Sequence, residues 1–387
     1  MNVNDLKSWF IKHYGESKEE VQCFFSPGRV NLIGEHIDYN GGYVFPGALT
    51  LGIYGLCRMR ADNMVRLTSL NAEESLQIRL NEALCYDPAD GWGNYPKGVL
   101  KHLLDEGKEL RGRDVLYYGN LPDGAGLSSS AALEVLTAYM FMADIEGEEV
   151  DRAAMAILCQ RAENQFVGVN CGIMDQFAVA LGKRDNAILL DCDRLQYEYA
   201  PLKLDGASLV IMNTNKKREL SESKYNERRA ECDAALKALR ERTDVKSLCQ
   251  ADLKDAYEYL KDEKLLKRTR HAITENNRVL KAVEVLGKGQ LHDFGKLMVE
   301  SHISLRDNYE VTGAELDTIF EAALNVEGCI GCRMTGAGFG GCAVAIVETG
   351  TMEDFKRDVA RYYTEKTGLK PDFYVTEIGD GVRRILL

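Results

Sequence analysis

Pro122-Asp-Gly-Ala-Gly-Leu-Ser-Ser-Ser-Ala-Ala132 is a glycine-rich turn that runs directly into a helical pattern. From Ser129 to Met142 the apolar residues keep to one side of a helix, so the helix is predicted to begin where the glycines end. Glycines let bare backbone approach a ligand, and unpaired amides at a helix N-terminus attract anions. The serines add hydroxyl donors and a candidate Mg²⁺ ligand. The stretch fits a phosphate-binding loop and also a capped turn without a ligand, but not a Walker A loop, because no Gly-Lys-Ser/Thr follows.

A second glycine-rich segment, Gly336-Ala-Gly-Phe-Gly-Gly341, formally matches G-x-G-x-x-G. A dinucleotide site of that type needs a strand before the glycines and a helix after them. Here the residues from Cys342 to Val347 have the composition of a strand, so the context excludes a Rossmann site. Two interpretations stay open: a hairpin turn, and a second loop that approaches phosphate from the other half of the chain.

Polar and charged side chains crowd the segment Pro27-Gly-Arg-Val-Asn-Leu-Ile-Gly-Glu-His-Ile-Asp38. They suit a polyhydroxylated ligand, whose hydroxyls need both donors and acceptors; a solvated turn with His36 as a core histidine is the alternative. Two further carboxylates, Glu163 and Asp175, lie late in one predicted helix and early in the next. Taken alone, each is more often a surface charge, because charged side chains are mostly exposed.

Composition narrows the class of protein. The 387 residues, with 45% hydrophobic and 28% charged residues, are typical of a globular chain of two or three domains. A net charge of −12 disfavours binding to nucleic acid or to an anionic membrane, although local donors can still hold ATP. The longest uncharged stretch, Tyr39 to Cys57, contains Pro46 and several glycines, so it is predicted to form strands and turns rather than a membrane span.

The 11 cysteines are odd in number and scattered, which predicts reduced thiols in a cytoplasmic protein. The pair Cys329 and Cys332 has no second pair or histidines close by in the sequence, so a structural role is favoured over a zinc site. Residues 1–14 lack a basic region followed by an apolar run, so we expect a surface helix there and no signal peptide.

The chain is predicted to divide near Ala200 to Gly206, giving an N-terminal domain of residues 1–203 and a C-terminal domain of residues 204–387. The first half alternates glycine-rich turns with strands and helices, and the second half carries long charged helices. Among the predicted elements are strands over 44–60, 65–80 and 209–212 and helices over 151–166, 223–242 and 274–286.

Together these segments resemble the galactokinases, a family within the GHMP superfamily of small-molecule kinases. The resemblance runs nearly the full length of the chain. Pro27 to Asn40 is similar to the galactokinase signature, with Ile37 where threonine is usual, and Leu121 to Leu133 is similar to the superfamily's phosphate loop. Further similar segments are Ala162 to Gln176, Asn213 to Cys232, Arg270 to Val279, Ser301 to Tyr309 and Met334 to Gly341.

The resemblance implies an α+β fold of two domains with the active site between them: an N-terminal ribosomal-protein-like α/β domain and a C-terminal ferredoxin-like domain. It implies phosphorylation of the anomeric hydroxyl of galactose by ATP with Mg²⁺. Asp175 would act as base, and Arg29 would keep it ionised and stabilise the transferring phosphoryl group. The implied sugar ligands are Glu35, His36, Asp38, Gly172 and Tyr225; the implied Mg²⁺ ligands are Ser130 and Glu163; the implied ATP contacts are Trp92, Gly124, Ala125, Gly126, Leu127, Ser128, Ser129 and Ser130.

Two rivals remain at this point. One is another GHMP kinase, acting on N-acetylgalactosamine, arabinose or a uronate; the sugar segments argue against mevalonate and homoserine kinases. The other is a non-catalytic sensor that binds galactose and ATP and signals to a partner protein. Arg29, Asp175 and the serine run are intact, which favours the enzyme. We expect small-molecule substrates, no nucleic acid or membrane partner, and no obligate protein partner.

Overall fold

The structure is a computed structural model that describes residues 2–122, 126–147, 149–216 and 221–387. Both halves contain helices and strands, which confirms the α+β class. The strands are β1 (Gln22–Asn31), β2 (Tyr43–Val44), β3 (Pro46–Met59), β4 (Met64–Ser69), β5 (Leu76–Arg79), β6 (Arg113–Gly119), β7 (Asn186–Asp191), β8 (Gln196–Pro201), β9 (Ala207–Asn213), β10 (Cys329–Thr335), β11 (Cys342–Glu348), β12 (Asp372–Thr376) and β13 (Arg383–Ile385). The helices are α1 (Val3–Tyr14), α2 (Asn94–Asp105), α3 (Ser129–Glu146), α4 (Arg152–Arg161), α5 (Met174–Leu181), α6 (Ser221–Arg240), α7 (Leu253–Tyr259), α8 (Glu263–Gly287), α9 (Leu291–Ser304), α10 (Ala314–Leu324) and α11 (Met352–Thr367).

The first sheet has the strand order β13-β1-β3-β6-β4-β5 and is antiparallel except where β4 pairs with β6. Successive side chains of its central strands point to opposite sides, and both sides are buried because helices cover them. Cys23 and Leu56 pack under α1 in a small core cluster, whereas their neighbours Phe24 and Cys57 belong to the main core, where α3 packs against β1 and β3. The apolar helix α3 is thereby held against the sheet, and its N-terminus is fixed in place.

The second sheet has the order β10-β11-β9-β12, and its neighbouring strands are all antiparallel. Helix α9 approaches β10 closely, because Gly295 on the helix faces Gly331 on the strand. A Cβ atom at Gly295 would lie 2.0 Å from the carbonyl oxygen of Ile330. Because both of these residues are glycines, the helix can lie this close to the sheet.

Three details differ from the sequence prediction. The strand predicted over 65–80 is two strands, β4 and β5, joined by a turn. The Asn71 side chain anchors this turn through hydrogen bonds to the backbone of Gly119. The helix predicted over 151–166 ends at Arg161 and continues as a π turn, Ala162–Val167. Strand β8 also occupies part of the predicted linker, where it pairs with β7.

The predicted domain boundary after residue 203 falls between β8 and β9, and it stays a prediction. Strand β13 returns to pair with β1, so the end of the chain is part of the first sheet. A third, smaller sheet, β2-β7-β8, lies within the first half of the chain. No helix in the described parts of the chain combines the length and apolar composition that a membrane crossing requires.

We expect Gly295→Ala to lower the free energy of unfolding by roughly 1–3 kcal/mol, because the added methyl group overlaps the backbone of Ile330. Gly287→Ala, at the end of α8, is the matched control: its Cβ would meet no atom within 4 Å. That control should be neutral or stabilising by about 0.5–1 kcal/mol. Urea unfolding followed by circular dichroism measures both, and equal effects of the two substitutions would contradict the packing argument.

Candidate active site

A cavity of about 360 Å³ lies between the two halves of the chain. The polar segment after β1, the N-terminus of α3, the π turn after α4, the start of α5 and the second glycine-rich segment all contribute to its wall. Most of the site residues predicted from the sequence line it: Arg29, Glu35, His36, Asp38, Gly126, Ser128, Ser129, Ser130, Glu163, Gly172, Asp175 and Tyr225.

Arg29 and Asp175 form a two-fold ion pair at this cavity. Arg29 Nε donates to Asp175 Oδ1 at 2.7 Å, and Nη2 donates to Oδ2 at 2.8 Å. The Arg29 side chain is 5% exposed, and that of Asp175 is 29% exposed. Burial alone would lower the pKa of Arg29, but the carboxylates of Asp175 and Glu35 raise it above its ordinary value. Arg29 is therefore a permanent cation beside Asp175.

A third donor reaches Asp175 from the phosphate-loop stretch. Ser128 Oγ donates to Oδ2 of Asp175, and Arg29 Nη1 donates to the carbonyl of Gly126 at 2.7 Å. Ser128 holds a left-handed backbone conformation, with φ of 62°, directly before α3. Oδ2 thus accepts two hydrogen bonds and Oδ1 one, so within the described part of the chain Oδ1 keeps the lone pair that could accept a further proton.

Glu163 lies in the π turn with its carboxylate at the cavity. Its Oε2 accepts from Gln176 Nε2 at 2.6 Å and from the thiol of Cys171 at 3.3 Å, and Ser130 also hydrogen-bonds the carboxylate. Burial, followed by the charge of Asp175, raises the pKa of Glu163. Ser130 and Glu163 thus bring two oxygen donors together at the predicted metal position.

Asp38 depends on the absence of a side chain at Gly172. A Cβ atom at Gly172 would lie 1.8 Å from Oδ2 of Asp38. Burial, and then the charges of Asp175 and Glu35, raise the pKa of Asp38 to about 6. Gly172, a predicted sugar ligand, therefore leaves the space that the carboxylate of Asp38, another predicted sugar ligand, occupies.

Glu35 is held by the second half of the chain. Its Oε2 accepts from Arg333 Nη1 at 2.8 Å, and its Oε1 accepts from the amide of Gly336 at 2.9 Å. The side chains of Glu35 and Arg333 are 2% and 0% exposed. The Glu35 backbone is also fixed, because its carbonyl accepts from His271 Nε2 at 3.0 Å. Glu35 therefore connects the polar segment to α8 and β10.

His36 has both ring nitrogens engaged with protein partners. Nδ1 lies 2.8 Å from Tyr39 Oη, and Nε2 lies 3.1 Å from the carbonyl oxygen of Ala337. Burial lowers the pKa of His36 to about 3, so the ring is neutral. A sugar hydroxyl could hydrogen-bond this ring only by displacing one of those partners.

The two glycine-rich segments meet at the cavity. A Cβ atom at Gly336 would lie 2.8 Å from the carbonyl oxygen of Gly126, and Gly336 has a φ of 88°. Only glycine combines that conformation with so close an approach. The second glycine-rich segment is therefore both the hairpin loop between the antiparallel strands β10 and β11 and a loop that approaches the first segment at the site.

Comparisons with known proteins agree along the whole chain. Residues 8–59 match the galactokinase galactose-binding signature, residues 94–183 the GHMP kinase N-terminal domain and residues 281–365 the GHMP kinase C-terminal domain. Galactokinase from Clostridium tetani is 54% identical over 100% of this chain and 98% of its own length. Galactokinase from Fusobacterium nucleatum is 52% identical over 99% of this chain and 98% of its own length.

The chain belongs to the galactokinase family. The crystal structure of Lactococcus lactis galactokinase, 45% identical, superimposes with a TM-score of 0.95 over 99% of this chain and 100% of that one. Methanococcus jannaschii mevalonate kinase, 18% identical, has a TM-score of 0.66 over 94% of this chain and 100% of that one, a likeness that shows the fold alone. The predicted GHMP fold is thus confirmed, and the chain is an ATP-dependent kinase.

Two predicted ATP contacts of this galactokinase-family chain lie away from the cavity. Trp92 packs edge-on against Tyr117, with ring centroids 5.8 Å apart, while Tyr95 of the same segment lines the cavity wall. Leu127 is buried in the core, where it fixes the loop rather than contacting the cavity. Gly124 and Ala125 lie outside the described residues.

The sequence interpretation missed Arg333, which this galactokinase-family site buries completely. The sequence offered one signal: Arg333 lies between apolar residues in the strand Cys329–Thr335. Because arginine is almost never buried without a partner, this position indicates a buried ion pair. Its partner Glu35 lies 298 residues away, and no local pattern links the two.

We expect Arg333→Met to destabilise the protein by roughly 3–5 kcal/mol, because it leaves the Glu35 carboxylate buried without its cation. Burial raises the pKa of Glu35, so the folded state holds its proton to higher pH than the unfolded chain does. Stability of the variant should therefore fall as pH rises, and the deficit should be smaller at about pH 5 than at about pH 8.

The double variant Arg333→Met/Glu35→Gln removes the charge as well as its partner. It should be more stable than Arg333→Met at about pH 8 and should lose the pH dependence. Strictly additive losses in the unfolding free energy would contradict the buried ion pair.

Proposed function

We propose that this chain transfers the γ-phosphoryl group of ATP to the anomeric hydroxyl of α-D-galactose, giving α-D-galactose 1-phosphate and ADP, as the first committed step of galactose catabolism (the Leloir pathway). The observation that carries the proposal is the two-fold Arg29–Asp175 ion pair, which lies between the glycine-rich segments and the polar sugar segment. The C. tetani relative is named galactokinase, and the L. lactis structure is described as complexed with galactose.

Asp175 is our candidate for the general base. Asp175 lines the cavity, and its Oδ1 accepts one hydrogen bond, from Arg29, whereas Oδ2 accepts two, from Arg29 and Ser128. As the anomeric oxygen forms its bond to the γ-phosphorus, its proton passes to Oδ1, and the bond from the γ-phosphorus to the bridging oxygen breaks to release ADP. Such transfer depends on positioning and charge, both of which Arg29 supplies.

Ser130 and Glu163 are our candidates for holding Mg²⁺. The metal prefers oxygen ligands and commonly takes one or two from a kinase, with the remainder from phosphates and water. The described residues contain no group of three or more His, Cys, Asp or Glu side chains that could hold a metal ion. When bound, Mg²⁺ neutralises charge on the phosphates.

Asp38, Tyr225 and Glu35 are the sugar-facing side chains that we propose as galactose ligands. Asp38 and Tyr225 line the cavity beside Gly172, and the burial of Asp38 makes it a costly group to leave unpaired. A site that hydrogen-bonds one hydroxyl rejects an epimer in which that hydroxyl points elsewhere. We therefore expect strong selectivity for the axial 4-hydroxyl of galactose. Glu35 contributes mainly by orientation, because Arg333 and Gly336 already occupy its oxygens.

The sensor alternative is disfavoured because the two groups that a non-catalytic relative would lose are present and paired, at 2.7 Å. We further propose a cytoplasmic location, supported by the free thiols at all eleven cysteines, because disulfides are rare in reducing compartments. We also propose that the chain acts without an obligate protein partner.

We expect Asp175→Asn to lower kcat by about 10²–10⁴-fold while the fold and ATP binding persist, because the amide cannot accept the proton. A coupled assay of ADP release with galactose, ATP and Mg²⁺ measures the rate. Asp105→Asn, an exposed residue paired with Lys101, is the matched control and should keep full activity. More than half of the unsubstituted rate in Asp175→Asn would remove this residue from the mechanism.

We expect Gly172→Ala to raise KM for galactose about tenfold or more, because the methyl group displaces the Asp38 carboxylate. Selectivity for galactose over glucose should fall with it, whereas KM for ATP should change little. Gly119→Ala, whose Cβ would meet only ordinary contacts near 3.7 Å, is the control. Equal kcat/KM for the two sugars in the unsubstituted protein would refute galactose as the substrate but not a kinase of this superfamily.

A further inference from the structure

A chain of hydrogen bonds runs from Asn40, through residues of both halves of the protein, to the second glycine-rich segment. It passes through one amide, one thiol, two phenols and one imidazole before it reaches a backbone carbonyl. In order, its members are Asn40, Cys232, Tyr309, Tyr39, His36 and the carbonyl of Ala337.

Each link is within hydrogen-bonding distance. Asn40 Nδ2 lies 3.5 Å from Cys232 Sγ, which lies 3.1 Å from Tyr309 Oη. Tyr309 Oη lies 2.8 Å from Tyr39 Oη, and Tyr39 Oη lies 2.8 Å from His36 Nδ1. Tyr309 and Cys232 are 0% and 1% exposed, so water does not compete for these groups.

The hydrogen bonds of this chain can point, from donor to acceptor, in only one direction. The carbonyl of Ala337 only accepts, so Nε2 of His36 must carry the proton. Because the ring is neutral, Nδ1 is then an acceptor, and Tyr39 must donate to it. Tyr39 has a single hydroxyl hydrogen, so Tyr309 must donate to Tyr39, and the thiol of Cys232 must in turn donate to Tyr309.

The chain of hydrogen bonds ends at the backbone of the second glycine-rich segment. Ala337 lies between Gly336 and Gly338, whose φ angles are 88° and 78°, and it lines the cavity. His36 itself has a φ of 61°, and Asn40 Nδ2 donates to its carbonyl at 2.9 Å. Glycine adopts such angles readily, whereas the left-handed backbone of His36 is a conformation that other residues rarely adopt and that needs support from its surroundings.

Tyr309 is placed for this task by a π turn, Leu305–Tyr309, at the end of α9. Its carbonyl accepts from Arg228 Nε at 2.9 Å, and the following residue, Glu310, is left-handed. The buried Arg268 side chain ties Glu310 in place at 2.7 Å. The phenol is therefore rigidly presented to Tyr39.

We propose that Tyr39 and Tyr309 are positioning residues: their directed hydrogen bonds hold His36 as the Nε2–H tautomer and so fix the Ala337 carbonyl beside the sugar cavity. The inference deepens the proposed function and rests on it for its kinetic test. Because the hydrogen of Tyr39 is committed to His36, Tyr39 can only accept a hydrogen bond from a sugar hydroxyl.

The kinetic test compares Tyr39→Phe and Tyr309→Phe with the unsubstituted enzyme. Each should raise KM for galactose about 3- to 10-fold, the range expected for one lost hydrogen bond, with KM for ATP changed less than about twofold. Tyr14→Phe is the matched control, because its hydroxyl bonds the carbonyl of Val115 under α1, away from the cavity. A galactose KM unchanged in both variants, or equal increases for galactose and ATP, would overturn the proposal.

The tautomer is tested without any reaction. In protein labelled with ¹⁵N-histidine, two-bond ¹H–¹⁵N correlations distinguish Nδ1–H from Nε2–H, and a His36→Gln sample identifies the His36 signals among those of the six histidines. We expect Nε2–H in the unsubstituted protein and a larger share of Nδ1–H in Tyr39→Phe, where the Ala337 carbonyl alone still favours Nε2–H. An unchanged Nε2–H tautomer in Tyr39→Phe would show that Tyr39 does not hold it and would overturn the proposal. An Nδ1–H ring in the unsubstituted protein would overturn the directed chain, whereas absent galactose turnover with the Nε2–H tautomer intact would refute only the proposed function.

Discussion

The buried ion pair between Glu35 and Arg333 is the contact on which the cavity depends. Glu35 follows the strand that carries Arg29, and Arg333 lies on the second sheet, so the pair joins the two walls of the site. Removing two charges from water is costly unless further hydrogen bonds satisfy them, and here Asn31, Gly336 and Ser301 contribute those bonds. The result is a fixed relation between the sugar segment and the second glycine-rich loop.

Around this pair the site concentrates negative charge in a confined volume. Asp38, Glu163 and Asp175 face one cavity, and burial together with their mutual repulsion raises the pKa of the first two. Arg29 is the cation that offsets this charge at Asp175. For a protein with a net charge of −12 to bind an anionic nucleotide, donors must be gathered locally, and the N-terminus of α3 and Arg29 are the donors that we propose.

The sequence by itself determined the elements that local chemistry controls. Helix α3 begins at Ser129, where the sequence predicted it, and strand β11 begins directly after Gly341, as its composition predicted. The density of polar groups between Arg29 and Asp38 predicted a ligand-binding segment, and Arg29, Glu35, His36 and Asp38 line the cavity. The α+β class and the family follow from those same segments, because motif spacing along the chain carries that information.

Tertiary structure alone decided which of these groups are free to act. The imidazole of His36 and the carboxylate of Glu35 have protein partners 301 and 298 residues away, which no pattern in the sequence indicates. Three further features are equally non-local. They are the close approach of Gly172 to Asp38, the position of Tyr95 in the cavity wall and the hydrogen bond between Tyr309 and Tyr39. Sequence patterns report the period of a helix or strand, whereas burial and hydrogen-bond partnership arise only when distant segments are packed together.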